Sequence, residues 1–197
     1  MPKLTYFKLN EEKRTRIYNV LLKEFEDNFI KDVTIKHLVE ELHIPRGSFY
    51  QYFESLNESY FYVLDQETKE MHGIFLELVA AKQGNVLAAL DDFGNKVAEE
   101  IFNSKHYKLY RNRYLFFDAD LEKQWRAYQL KNTEYENTMK RVSEHEKVVF
   151  IRTIMHSLIQ RLFAESWDKD TFLRVYYQYV KWMKEGIGHD ASNGITI

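Results

Sequence analysis

The chain has 197 residues, 45% of them apolar, a formal net charge of −2, and no cysteine. That length and apolar share support one sizeable core or two small ones. The small charge excludes a general polyanion binder, the missing thiol excludes disulfide frameworks and thiolate chemistry, and no apolar run reaches the ~18 residues a bilayer span needs.

The N-terminal stretch has no apolar signal core, so a cytoplasmic location is expected. Two prolines and seven glycines leave room for long uninterrupted helices, and Tyr and Phe, 14 each, supply much of the core. Charge is uneven locally. Residues 1–16 hold Lys3, Lys8, Lys13, Arg14 and Arg16 against Glu11 and Glu12, whereas residues 1–56 balance, nine basic against nine acidic. A basic arm on a neutral head suits a phosphate-contacting edge; a solvated helix start has the same composition.

Asn10 is placed to cap a first helix, with Glu11 and Glu12 at the positive end of its dipole. Ile17, Val20, Leu21 and Phe25 then fall on one face, and the pattern decays at Asp27-Asn28. Thr34 caps a second helix with the stripe Ile35, Leu38, Val39 and Leu42. Pro45 biases Ile44 away from helical geometry, so this helix is short and a third starts at Pro45 or Arg46. Ser55-Leu56-Asn57-Glu58 reads as a capping box opening a long helix to about Ala81, with Phe61, Leu64, Thr68, Met71 and Phe75 on one stripe.

Gly84-Asn85 breaks that helix, and another follows through Leu87, Leu90, Phe93, Val97 and Ile101. Ser104-Lys105-His106 makes a joint. Asp118 or Asp120 caps a helix holding Leu121, Trp125 and Tyr128. Ser143-Glu144-His145-Glu146 is a second capping box, ahead of Val149, Phe150, Ile154, Leu158 and Leu162. Asp168 caps the last helix, which carries Phe172, Val175, Tyr176, Tyr179, Val180 and Met183 and stops at Gly186. The tail from Gly188 to Ile197 is expected to fray. The pattern holds no strand signal, so the fold class is all-α, with about nine helices.

A short helix, a tight turn and a second short helix, braced by an earlier one, form a helix-turn-helix. In such a motif the second helix fits the major groove. On a helical wheel, Phe49 and Phe53 face the core, Gly47, Ser48 and Gln51 lie opposite, and Tyr50 and Tyr52 sit at the two margins. Arg46 suits guanine edges and Gln51 adenine edges. Gly47 lets a backbone approach closely, and the hydroxyls of Ser48, Tyr50 and Tyr52 suit phosphate oxygens. Thr34, at a helix N-terminus, adds its hydroxyl and nearby backbone N–H groups. The alternative is that the two tyrosines simply pack and wet their tips.

The stretch "VTIKHLVEELHIPRGSFYQYFESLNES" resembles the DNA-binding head of the TetR family of transcriptional regulators. The match covers residues 10–65 and rests on Thr34, Ile35, Leu38, Val39, Ile44, Arg46, Gly47, Ser48, Phe49, Tyr50, Gln51, Tyr52 and Phe53 in order and spacing. Three positions depart from that pattern. His43 stands where the family usually has a turn glycine, Pro45 where it has a capping Ser or Thr, and Leu56 where a lysine often meets a phosphate.

The resemblance implies a helix-turn-helix DNA-binding domain over residues 1–54 and a helical effector-binding and dimerisation domain over residues 55–197. It further implies a ligand-responsive, sequence-specific regulator that binds a palindromic operator as a homodimer. Repression is the family's usual mode, with release by a small-molecule effector. The apolar pair of helices over 143–166 and 168–186, with Phe150, Ile154, Leu158, Leu162, Tyr176 and Val180, is the candidate dimer interface. His156, Ile159, Gln160 and Phe163 widen its stripe; the alternative is that both helices are core.

Residues 107–128 carry seven aromatic side chains. Tyr107, Tyr110, Tyr114, Phe117, Trp125 and Tyr128 are the candidate lining of a pocket for an apolar or aromatic effector, although an aromatic run at helical spacing also describes a core.

Two rival readings compete with this one. Glu40-x-x-His43 has the spacing of a di-iron ligand pair, but no second Glu-x-x-His occurs, and no phosphate loop or nucleophile elbow is present. No catalytic residue, metal site or cofactor is therefore expected. The other rival is a protein-binding adaptor that keeps the helix-turn-helix fold without reading DNA.

Overall fold

A computed structural model describes residues 1–103, 105–131 and 146–186. Ten helices and no strand occur among them. In chain order they are α1 (Leu4–Phe7), α2 (Glu11–Asp27), α3 (Ile35–Glu41), α4 (Arg46–Tyr52), α5 (Leu56–Ala81), α6 (Val86–Asn103), α7 (Tyr107–Phe116), α8 (Ala119–Leu130), α9 (Glu146–Ala164) and α10 (Lys169–Glu185). No helix among the described residues is long and apolar enough to cross a membrane. Ser104, the Ser143–His145 part of the second capping box and the tail from Gly188 lie outside the described residues.

The start signals act where the sequence places them. Asn10 accepts the Lys13 N–H at 2.9 Å, Thr34 that of His37 at 3.2 Å, and Asp118 and Asp168 accept from Leu121 and Thr171 at 2.8 Å each. Asp118, rather than Asp120, is thus the cap of α8. Ser55 accepts the Glu58 N–H at 3.1 Å, and the Glu58 carboxylate reaches back to the Glu54 N–H at 2.7 Å. Each such cap satisfies an amide that the helix leaves unpaired.

One helix was not expected. α1 has four residues and no side-chain cap. Isolated helices that short do not form; this one is held by Tyr6, which is fully buried against the rings of Tyr52, Phe53 and Tyr62.

The chain divides into two compact units, one within Met1–Thr68 and His106–Thr153, the other within Lys69–Lys105 and Ile154–Ile197. The first unit packs Ile17, Leu21 and Phe25 of α2, Leu38 and Val39 of α3, and Phe49 and Phe53 around the start of α5. Leu109, Trp125 and Tyr128 belong to the same core. Burying one such ring contributes roughly 2–3 kcal/mol.

In the second unit α6 lies against α10. Leu90, Val97 and Ile101 are buried, as are Phe172, Tyr176 and Val180. The Tyr176 hydroxyl donates to the Leu90 carbonyl at 2.9 Å. Gly94 permits the close approach: a Cβ there would stand 2.5 Å from Tyr176 Cε1.

Candidate nucleic-acid interface

The head is built from α2, α3 and α4. α3 ends in a Schellman arrangement: the His43 N–H donates to the Glu40 carbonyl at 3.1 Å and the Ile44 N–H to Val39 at 3.0 Å. His43 adopts φ 51°, the left-handed conformation that the missing glycine would have taken at lower cost. Glu40 and His43 are both exposed, and His43 serves as a turn residue. Pro45 follows at φ −59° and ψ 143° as the N-cap of α4, with no side-chain cap bond.

α4 divides by face. Phe49 and Phe53 are fully buried. Arg46, Gly47, Tyr50 and Gln51 are exposed, Ser48 is half-buried, and Thr34 is exposed at the start of α3. Nothing lies within 4 Å of where a Gly47 Cβ would stand, so its face is open.

Tyr50 is 39% exposed, but Tyr52 only 6%. The two margins of the wheel are therefore unequal. The Tyr52 ring packs edge-on to Tyr6, whose segment was not expected to fold there. Among the described residues every fully buried side-chain nitrogen or oxygen has a partner, and the Tyr52 hydroxyl makes no hydrogen bond within them, so its tip reaches the surface.

The basic arm is partly structural. The Lys3 ammonium donates to the Tyr50 carbonyl at 2.7 Å, and the Arg16 guanidinium to Leu42 at 3.1 Å. Each cation thus sits at the C-terminal, negative end of a helix of the motif. Lys13 lies over the Tyr52 ring, 5.9 Å from its centroid. Leu56 opens α5 and packs against the core, so the position offers no charge to a phosphate.

Two further residues carry no motif in the sequence. Asn112 of α7 is buried, and its amide donates to the carbonyls of Phe25 at 3.2 Å, Glu26 at 3.0 Å and Asn28 at 3.4 Å, the end of α2. His106 stands with Nδ1 2.5 Å from the Glu26 carboxylate and Nε2 3.3 Å from that of Glu67, which also accepts the Tyr18 hydroxyl. A lone Asn and a lone His have no periodicity to mark them; only the surrounding ring-rich run did.

The family model for the Tetracyclin repressor, C-terminal domain, matches residues 86–186, half of the chain. The chain belongs to the TetR family of transcriptional regulators. A solved TetR family transcriptional regulator from Chloroflexus aurantiacus J-10-fl is similar, at 20% identity over 94% of this chain and 98% of that chain, with a TM-score of 0.48. No curated protein matches.

With the TetR family assigned, burial within the single chain bears on two expectations about its body. Leu158, Leu162, Tyr176 and Val180 are buried within the chain, so they have no surface to offer a second copy. Ile154 is half-buried, and Phe150 alone of the six is exposed, at 60%. Ile159 and Phe163 are buried too, whereas His156 and Gln160 are exposed.

The expected pocket rings pack on one another. Trp125 and Tyr128 stack with centroids 5.6 Å apart and 8° between planes, and Phe61 closes on both at 5.6 and 5.8 Å. The Arg113 guanidinium lies 3.3 Å from the Phe117 centroid. Tyr110 is buried with its hydroxyl on the Glu67 carbonyl at 2.9 Å, while Tyr107 and Tyr114 are half-buried. Trp125, Tyr128 and Tyr110 are thus core rings of the first unit. An open groove of about 820 Å³ in that unit has a different, polar lining that includes Arg16, Lys23, Glu24, His37 and Glu41.

Proposed function

We propose that this TetR family member is a sequence-specific repressor whose residues 1–54 read DNA and whose residues 55–197 dimerise and receive an effector. The observation that carries the reading is the two-sided α4. Its phenylalanines are sunk in the core, and its exposed side presents Arg46, Gly47, Tyr50 and Gln51. Arg46 and Gln51 specify bases; Thr34, Ser48, Tyr50 and the tip of Tyr52 position phosphates.

One short helix reads few base pairs, so a homodimer on a palindromic operator is proposed. The faces offered to the second copy are the outward sides of α9 and α10, where His156 and Gln160 are exposed. A small apolar or aromatic effector is proposed to bind beside the half-buried Tyr107 and Tyr114 and release the operator. The site of action is the cytoplasm, with DNA.

Selection from a randomised duplex pool tests this. The protein is expected to enrich a palindromic sequence. Arg46→Ala and Gln51→Ala are each expected to reduce discrimination against single-base mismatches by 1–3 kcal/mol, or about 5- to 150-fold. Enrichment of nothing would leave an adaptor that keeps the fold.

A further inference from the structure

We propose that Lys3, Thr5 and Tyr6 form a positioning element for the recognition helix: they complete its C-terminal end and thereby fix where Tyr50 and Gln51 stand against DNA. This rests on the DNA-binding reading of α4. The final turn of any α-helix leaves carbonyls without intrahelical donors. In a seven-residue helix those carbonyls are a large share of the whole. Here the Phe49 carbonyl takes the Phe53 N–H at 2.9 Å, and the arm takes the next three. The Tyr50 carbonyl accepts from the Lys3 ammonium at 2.7 Å, the Gln51 carbonyl from the Thr5 hydroxyl, and the Tyr52 carbonyl from the Lys3 backbone N–H at 2.8 Å.

Successive carbonyls stand about 100° apart around the helix axis, so meeting three in a row requires a segment that wraps the helix end. The anchor of that wrap is Tyr6, fully buried between Phe53 and Tyr62. At the other end of α4, Pro45 supplies no side-chain cap, and the Ser48 N–H donates to its carbonyl at 2.9 Å. Lys3 adds a positive charge at the negative pole of the helix dipole. Two of the carbonyls so held belong to Tyr50 and Gln51, whose side chains are exposed on the proposed reading face. A base contact tolerates little displacement, so a loosened last turn lowers discrimination before it lowers affinity for DNA in general.

The test compares Thr5→Val, Thr5→Ser and Lys3→Met in the full chain. Without DNA, amide hydrogen exchange is read over residues 46–53. With DNA, affinity is measured for a duplex selected by the unaltered protein and for its base-scrambled counterpart across a salt series. Thr5→Val is expected to speed exchange in the last turn of α4 about fivefold and to narrow the selected-to-scrambled ratio by a similar factor, and Thr5→Ser to restore both. Unchanged exchange in Thr5→Val and Lys3→Met overturns the proposal. So does parallel weakening on both duplexes with a salt slope lower by about one, which would make Lys3 a direct phosphate contact. If the unaltered protein fails to distinguish the duplexes, the DNA-binding reading is lost, while the exchange measurement still decides the capping.

Discussion

His43, Gln83 and Ser166 stand at φ 51°, 54° and 54°, a left-handed conformation in which a Cβ crowds the following carbonyl. Each is followed by a residue whose N–H bonds back five positions: Ile44 to Val39, Gly84 to Val79, Trp167 to Leu162, at 2.9–3.0 Å. The helix ends are thus made by backbone bonds at the cost of side-chain crowding. Gln83→Gly and Ser166→Gly are expected to stabilise the fold by about 0.5–1 kcal/mol each, the relief of strain being partly offset by the freer unfolded chain. Urea midpoints check this, and the double variant should give close to the sum. At this scale the sequence was readable where a side chain acts on its own neighbourhood. The caps Asn10, Thr34, Ser55 and Asp168 needed no tertiary information. The wheel puts Tyr52 at a margin but does not give the depth of its ring, which depends on Tyr6, 46 residues away in the chain.

Among elements, the joint between α7 and the end of α2 rests on one buried amide. Asn112 is buried, and its two amide hydrogens are shared among three carbonyls at the end of α2. Replacing it by alanine removes those bonds and leaves acceptors without donors. Asn112→Ala is expected to cost about 2–3 kcal/mol, read as a lowered urea midpoint, with Asn112→Asp no better because a carboxylate cannot donate. Helix extents followed from stripes and stop signals, as at α5 and α10. α1 did not, since four residues show no period and its existence depends on what it packs against.

For the whole chain, phenols raised by burial are expected to set the alkaline limit. Burial pushes the hydroxyls of Tyr6, Tyr18, Tyr60, Tyr128 and Tyr176 well above the ordinary tyrosine value. Their folded forms hold the proton more tightly than the unfolded chain does. The stability they carry is therefore complete below about pH 10 and is lost as pH rises beyond it. Helical circular dichroism is expected to collapse in one step above that pH, together with a late, steep fraction of the tyrosinate absorbance. A gradual phenol titration with the helices intact would contradict this. The stripe of the last two helices was legible, but not which side it served. Leu158, Leu162, Tyr176 and Val180 fill their own chain's interior, and a period of 3.6 says only that a face is covered, not by whom. The end of α2 finishes its hydrogen bonding on Asn112, a residue more than 80 positions downstream. A chimera joined at residue 54 would sever the head from its own fastener. A head moved into another chain is therefore expected to need α7 with it to keep the end of α2 satisfied.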